Sequence, residues 1–246
     1  MGTYALPGPF RSVDHQATQP ITCAGGVLSF TNTAEAIHAW IHGWTVSRGA
    51  ADPTPTPWGF SVDVGLPGHV VRHVLSAADE TTVRKITENP TAPGVWLKTP
   101  APPDMLEQWL GPGWSLAGGP GFLMSAPPHA APAAPAEAAP TTADGYRLDT
   151  WTRAGVARTL VRTTDGAFAA RGQVAIIGRA FVVDQVETDP AHQRRGLGRL
   201  VMHTLADIAA GQGATAGVLV ATPEGRALYE TVGWHVLAPL TSAMRS

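Results

Sequence analysis

The strongest constraint on the fold of this chain is a change of hydrophobic period between residues 180 and 208. Ala180-Phe181-Val182-Val183 opens an apolar run that continues to Val186 and suits a β-strand. Leu197, Leu200, Val201, Leu205 and Ile208 then recur at helical spacing. Between the two lies Gln193-Arg194-Arg195-Gly196-Leu197-Gly198, so a glycine-bearing loop sits where a strand feeds a helix N-terminus. The first turn of a helix has backbone N–H groups without intrahelical acceptors and carries the positive end of the helix dipole. Glycines let that backbone close around a phosphate, and Arg194, Arg195 and Arg199 add positive charge. The competing reading is a tight strand-to-helix turn with solvated arginines.

Two common phosphate motifs do not fit. A dinucleotide fingerprint needs a third small residue where Val201 stands, and Gly-Lys-Ser or Gly-Lys-Thr occurs nowhere. The run instead resembles the acyl-CoA loop of GNAT-type N-acetyltransferases, written Gln/Arg-x-x-Gly-x-Gly/Ala after a strand ending near an acidic-Pro turn, here Asp189-Pro190. Downstream, Val218-Leu219-Val220 is similar to that family's next strand. The stretch from Gly225 through Leu228-Tyr229 to Gly233-Trp234 is similar to its last helix and the Gly-Phe that follows. The resemblance spans residues 146 to 240 and implies an α/β fold with a mixed sheet over the C-terminal half.

An alanine run broken by prolines, from Ala126 to Ala143, cannot bury a core and reads as an extended linker. It divides the chain into residues 1–125, a smaller mixed α/β domain, and residues 144–246, the acetyl-CoA-binding domain. In the first part, residues 1–26 carry no period and Val27 to Phe30 suits a short strand. Ala34 to Trp44 suits a helix with Ile37, Trp40, Ile41 and Trp44 on one face, followed by a proline-punctuated loop from Ala50 to Pro57. Trp58–Val64 and His69–Leu75 suit a hairpin; Asp79 starts a short helix, Val95–Leu97 is a brief strand, Pro103–Leu110 a helix and Gly121–Met124 another apolar run. In the second part four strands form an antiparallel meander, with Gly172 marking a bulge, before the phosphate loop. Trp234 to Leu237 closes the sheet.

The family fold places two helices between its first two strands as one wall of the acceptor site, whereas here only Arg153-Ala154-Gly155 separates them. The first half is therefore expected to supply that wall, and its own strand, helix and hairpin suit a degenerate second copy of the fold without a phosphate loop.

Charge narrows the partners. Residues 1–143 hold 6 Lys/Arg against 10 Asp/Glu and residues 144–246 hold 11 against 9, so neither half has the sustained basic surface of a nucleic-acid binder. Cys23 is the only cysteine, which excludes an internal disulfide. With no leader pattern and no long apolar run, a cytoplasmic protein without membrane contact is expected, as a monomer or homodimer. His38 and His42, and His69 and His73, pair within their elements but lack linked acids or cysteines, so no metal is expected.

The resemblance implies transfer of acetyl from acetyl-CoA to a primary amine of a small molecule or peptide by direct attack in a ternary complex. Val186, Glu187 and Thr188 would bond the pantetheine arm through their backbone, and Gln193, Arg194, Arg195, Gly196, Leu197, Gly198 and Arg199 would cradle the pyrophosphate. Tyr229 would protonate the leaving thiolate, and Glu187 is the expected base. Asp184, three residues earlier on the strand, is expected on the opposite face. The alternative class is a non-catalytic acyl-CoA-binding or sensor protein with the same fold.

Overall fold

The computed structural model describes residues 30–89, 92–127 and 145–246, with the backbone of a two-residue ladder, β1 (Thr22–Cys23) and β2 (Gly26–Val27). The expectations for the lead-in up to residue 21, for the Cys23 side chain, for Leu28-Ser29 and for most of the Ala/Pro-rich run lie outside the described residues.

Helix α1 (Thr33–Arg48) begins at Asn32, whose side chain accepts from the Glu35 N–H, and ends at Gly49 in the left-handed region at φ 64°. It runs one turn further than Trp44 and is buried on more than the expected stripe, with Ala36, Ala39, Gly43 and Ser47 buried besides the large residues. A helix buried on two sides lies between two layers. Next come β3 (Thr54–Thr56), β4 (Gly59–Leu66), β5 (His69–Leu75), α2 (Glu80–Glu88), β6 (Val95–Thr99), α3 (Pro103–Trp109), β7 (Trp114–Leu116) and β8 (Phe122–Ala126). The 50–57 stretch thus contains an edge strand rather than only loop, which suits a strand whose prolines cannot donate to a ladder on both sides.

The second half forms β9 (Tyr146–Arg153), β10 (Val156–Thr163), β11 (Phe168–Ile177) and β12 (Ala180–Thr188). Ala154 and Gly155, at φ 50° and 74°, make the two-residue connection that matches the strands' twist. A 3₁₀ turn at Pro190–His192 leads to α4 (Leu197–Gly211), then β13 (Ala216–Ala221) parallel to β12, α5 (Pro223–Glu230), β14 (His235–Pro239) and β15 (Thr241–Arg245). The antiparallel meander expected from sequence is present.

The sheets do not follow the sequence halves. One runs β3-β4-β5-β6-β15-β7 and the other β14-β8-β13-β12-β11-β10-β9. Strand β8 crosses from the first half to pair with β13 and β14, and β15 crosses back to lie between β6 and β7. Trp234–Leu237 therefore closes its sheet only through a strand of the other half. Read outward from the meander, the two sheets share one order: antiparallel strands, a parallel pair bracketing a helix (β5-α2-β6 and β12-α4-β13), a strand donated by the other half, and an edge strand. Pro103 opens α3 and Pro223 opens α5; six residues on stand Trp109 and Tyr229, and ten on stand Gly113 and Gly233, each followed by tryptophan. Both glycines hold positive φ, 76° and 88°.

The layers are α4 and α5, the larger sheet, α1, the smaller sheet, then α2 and α3. Val183, Leu219 and Met124 face α4, while Val182, Val218 and Leu123 face α1 together with Phe60, Val62 and Val74 of the smaller sheet. A Cβ on Gly43 would lie 2.2 Å from Val182, so a glycine is what lets α1 seat on β12. Helix α1 of the first half thus covers the face of the larger sheet opposite α4. Among the described residues no helix is long and apolar enough to cross a membrane.

Candidate active site

Strands β12 and β13 pair only from Ala180↔Ala216 to Val182↔Val218 and then diverge. The divergence opens a cleft of about 1060 Å³. It is lined by Val183–Thr188 on one side and Leu219–Thr222 on the other, together with residues of α5 and of the loop into α4. Backbone groups of β12 on this edge are free of ladder partners, as a donor for pantetheine amides needs.

Helix α4 starts at Gly196, at φ 78°, with no side chain capping it. The first intrahelical acceptor serves Leu200, whose N–H donates to Gly196 O at 3.0 Å. The N–H groups of Leu197, Gly198 and Arg199 are thus left pointing out of the helix end. Nothing lies within 4 Å of a Cβ placed on Gly196. Gly198 is small for a different reason, since its Cβ would meet Leu228 at 2.8 Å where α5 packs over the loop. Gln193, Arg194, Leu197 and Arg199 line the same cleft. Arg195 does not: it donates to the Tyr146 hydroxyl at 3.2 Å, and that hydroxyl also bonds His192 at 2.9 Å, which ties the loop to β9.

Tyr229 lies on α5 at the inner end of the cleft, 8% exposed and against Trp234. Burial first, and the negative charge of Asp184 second, push its phenol up to about 12, so it holds its proton throughout the physiological range.

The expected opposition of Asp184 and Glu187 is corrected. Gln173 pairs with Asp184 and Arg171 with Glu187, so Gln185 and Val186 together oppose the single residue Gly172. This bulge, with Gln185 at φ 53°, adds one residue and returns the side chains to one face. Gly172 marks the bulge as read from sequence, although the extra residue belongs to β12. Glu187 is exposed and pairs with Arg171 at 2.8 Å. Asp184 is largely buried and accepts from Ser47 at 2.9 Å and from both Nε and Nη2 of Arg48, at 2.5 and 2.9 Å. Gln173 donates to Ser47 O and Oγ, completing a link from α1 to the floor of the cleft. Sequence reasoning missed Ser47, Arg48 and Asp184 as one cluster; their partners lie more than 120 positions apart and leave no local signal.

His38 and His42 stack at 4.4 Å beside Phe60, and burial together with His42 lowers the His38 pKa. Among the described residues no group of three or more His, Cys, Asp or Glu is placed to hold a metal ion.

The larger sheet is thus a mixed α/β sheet whose central parallel strands part beside an uncapped helix end. Residues 128–234 match the family described as Acetyltransferase (GNAT) family, and the C-terminal half is a GNAT acetyltransferase domain. Among solved structures, a GCN5-related N-acetyltransferase from Kribbella flavida is similar at 18% identity and TM-score 0.57, over 87% of this chain and 95% of that one. A GNAT-family protein from Novosphingobium aromaticivorans is similar at 17% identity and TM-score 0.51, over 86% and 97%. Both likenesses extend through the first half and concern the fold. No curated protein matches the sequence.

Proposed function

We propose that the protein is an acetyl-CoA-dependent N-acetyltransferase acting on a primary amine of a small molecule or peptide, with the first half a diverged second copy of the same fold. The observation that carries the reading is the uncapped N-terminus of α4 beside the β12–β13 cleft, with Tyr229 at its inner end. Pyrophosphate oxygens would take the N–H groups of Leu197, Gly198 and Arg199, with Gln193, Arg194 and Arg199 around them, and Arg195 would hold the loop through Tyr146. Val186 to Thr188 would bond the pantetheine arm and polarise the thioester carbonyl.

The acceptor nitrogen attacks the carbonyl carbon, forming the C–N bond as the C–S bond breaks. Tyr229 gives its proton to the departing thiolate, and its high pKa keeps that proton available at neutral pH. The ammonium proton leaves through water to Glu187, which faces solvent beside Arg171. The acceptor enters on the α1 side, and the protein works as a monomer or homodimer in the cytoplasm, without nucleic acid. The test is free-thiol release from acetyl-CoA across a panel of amines, alongside calorimetry with CoA. Tight CoA binding without turnover on the whole panel would favour the sensor reading instead.

A further inference from the structure

Cross-strand pairing sets Arg72 of β5 opposite Trp96 of β6, and Val74 opposite Lys98. Directly paired residues share a face, as do residues two apart on a strand, so Arg72, Trp96 and Lys98 lie together on the side of the smaller sheet that looks toward α1. Arg72 is 8% exposed, and its guanidinium lies 4.2 Å over the Trp44 ring of α1. The stack positions the guanidinium but offers no acceptor, and Arg72 Nε is buried without a hydrogen-bond partner. Lys98 Nζ donates to the Ser242 hydroxyl at 2.6 Å, which brings no charge. His69 sits 5.0 Å from Trp96, and its Nε2 is likewise buried and unpartnered.

The electrostatics agree with this placement. Burial, then the charges of Arg72, Lys98 and Arg48, lower His69 to about 4. Burial and then Arg72 lower Lys98 to about 7, and burial and then Arg48 lower Arg72 to about 10. Asp184 is the one carboxylate acting on Arg72, and Arg48 already occupies both of its oxygens. Arg48 and Lys98 both lie close enough to Arg72 to act on it, while the carboxylate that offsets its charge is already engaged by Arg48, so the Arg72 guanidinium is buried at a cost that an entering oxyanion would relieve. Asp184 and Tyr229 both line the β12–β13 cleft, so the carboxylate that acts on Arg72 also borders the proposed acyl-transfer site.

We infer that Arg72, Lys98 and His69 bind the carboxylate of the acceptor, which is therefore an amino-carboxylate whose amine reaches the thioester past Asp184. This rests on the acyl-transfer reading above. In the full-length protein without acetyl-CoA, succinate is expected to raise Tm, and Arg72→Met to abolish the rise. Absence of a rise in the wild-type protein overturns the pocket, and a rise with inorganic phosphate but not succinate overturns the choice of carboxylate. With acetyl-CoA, the kcat/KM ratio of β-alanine to ethylamine is expected to fall about tenfold or more in Arg72→Met, the scale of a charge-assisted hydrogen bond. Acetyl-CoA affinity by calorimetry should stay unchanged. Lys98→Met gives the same readout if Arg72→Met does not fold, and an unchanged ratio in the folded variant overturns the assignment. Failure of acetyl-CoA to bind would defeat the acyl-transfer reading, while the succinate shift still decides the pocket.

Discussion

Helices α2 and α4 hold the same place in their two sheets, each bracketed by a parallel strand pair, yet their N-termini are finished in opposite ways. At α2 the Asp79 carboxylate accepts from the Thr82 N–H at 2.6 Å, and Glu80 follows in the first turn. Hydrogen bonding from the Thr82 side chain first, and from its backbone N–H second, holds the Asp79 carboxyl below its usual range. At α4 no side chain caps, no acid stands in the first turn, and Arg194 and Arg199 line the approach. A helix end attracts one anion, and the chain either supplies it or leaves the place open. The first half supplies it. The second half leaves it open, and the loop glycine holds the backbone clear of any side chain. The same contrast recurs at the last helix of each half, where Trp109 stands in the position of Tyr229 and offers no hydroxyl.

The most severe challenge to treating the halves as comparable units is to separate them. A fragment of residues 145–246 loses α1 and β8, leaving Val182 and Val218 uncovered and β14 without its neighbour. It is expected to show no cooperative thermal transition, and a folded fragment that binds CoA would break the exchange picture. Next in size, Tyr229→Phe should lower kcat about 10²-fold at saturating acetyl-CoA with its affinity unchanged. Trp109→Phe should leave kcat near the wild-type value, and equal losses in both would dissolve the contrast. Third, Gly196→Val should weaken acetyl-CoA about tenfold in calorimetry, because a β-branched residue at φ 78° costs roughly 1–2 kcal/mol to hold in the binding conformation. Asp79→Ala should lower Tm slightly and leave acetyl-CoA affinity alone.

A further test is a pH dependence that belongs to the first half. Lys98 titrates near 7 in the folded protein but near 10.5 when unfolded. Between those values the unfolded chain binds the extra proton, so this residue makes stability rise with pH and keeps it lowest below about 7. Tm of the wild-type protein should accordingly climb from pH 7 to 9 relative to Lys98→Met, and identical profiles would place Lys98 in water.

What the sequence made legible was local. The strand–loop–helix run at 180–208, the hairpins and the last helix each carry their own period, caps or turn glycines. What stayed hidden was non-local or unmarked. Strand β15 is Thr-Ser-Ala-Met-Arg, too weakly apolar to announce itself, and it becomes a strand because β6 and β7 offer it two open ladders. The bulge that brings Glu187 onto the face of Asp184 is marked on β11 by Gly172, but its extra residue lies on β12 at Gln185, which no glycine announces. The repeated Pro-to-Gly-Trp spacing was present in the sequence but gained meaning only when the sheets showed the same order.

The exchange of β8 and β15 also sets a schedule for synthesis. Thr99 on β6 must wait for Thr241, and the smaller sheet keeps an open slot between β6 and β7 until residues 241–245 have left the ribosome. The two halves consequently cannot mature one after the other as beads on a string. They interlock in a single late step, with unpaired strand edges exposed beforehand, where chaperones or a neighbouring nascent chain would find them first.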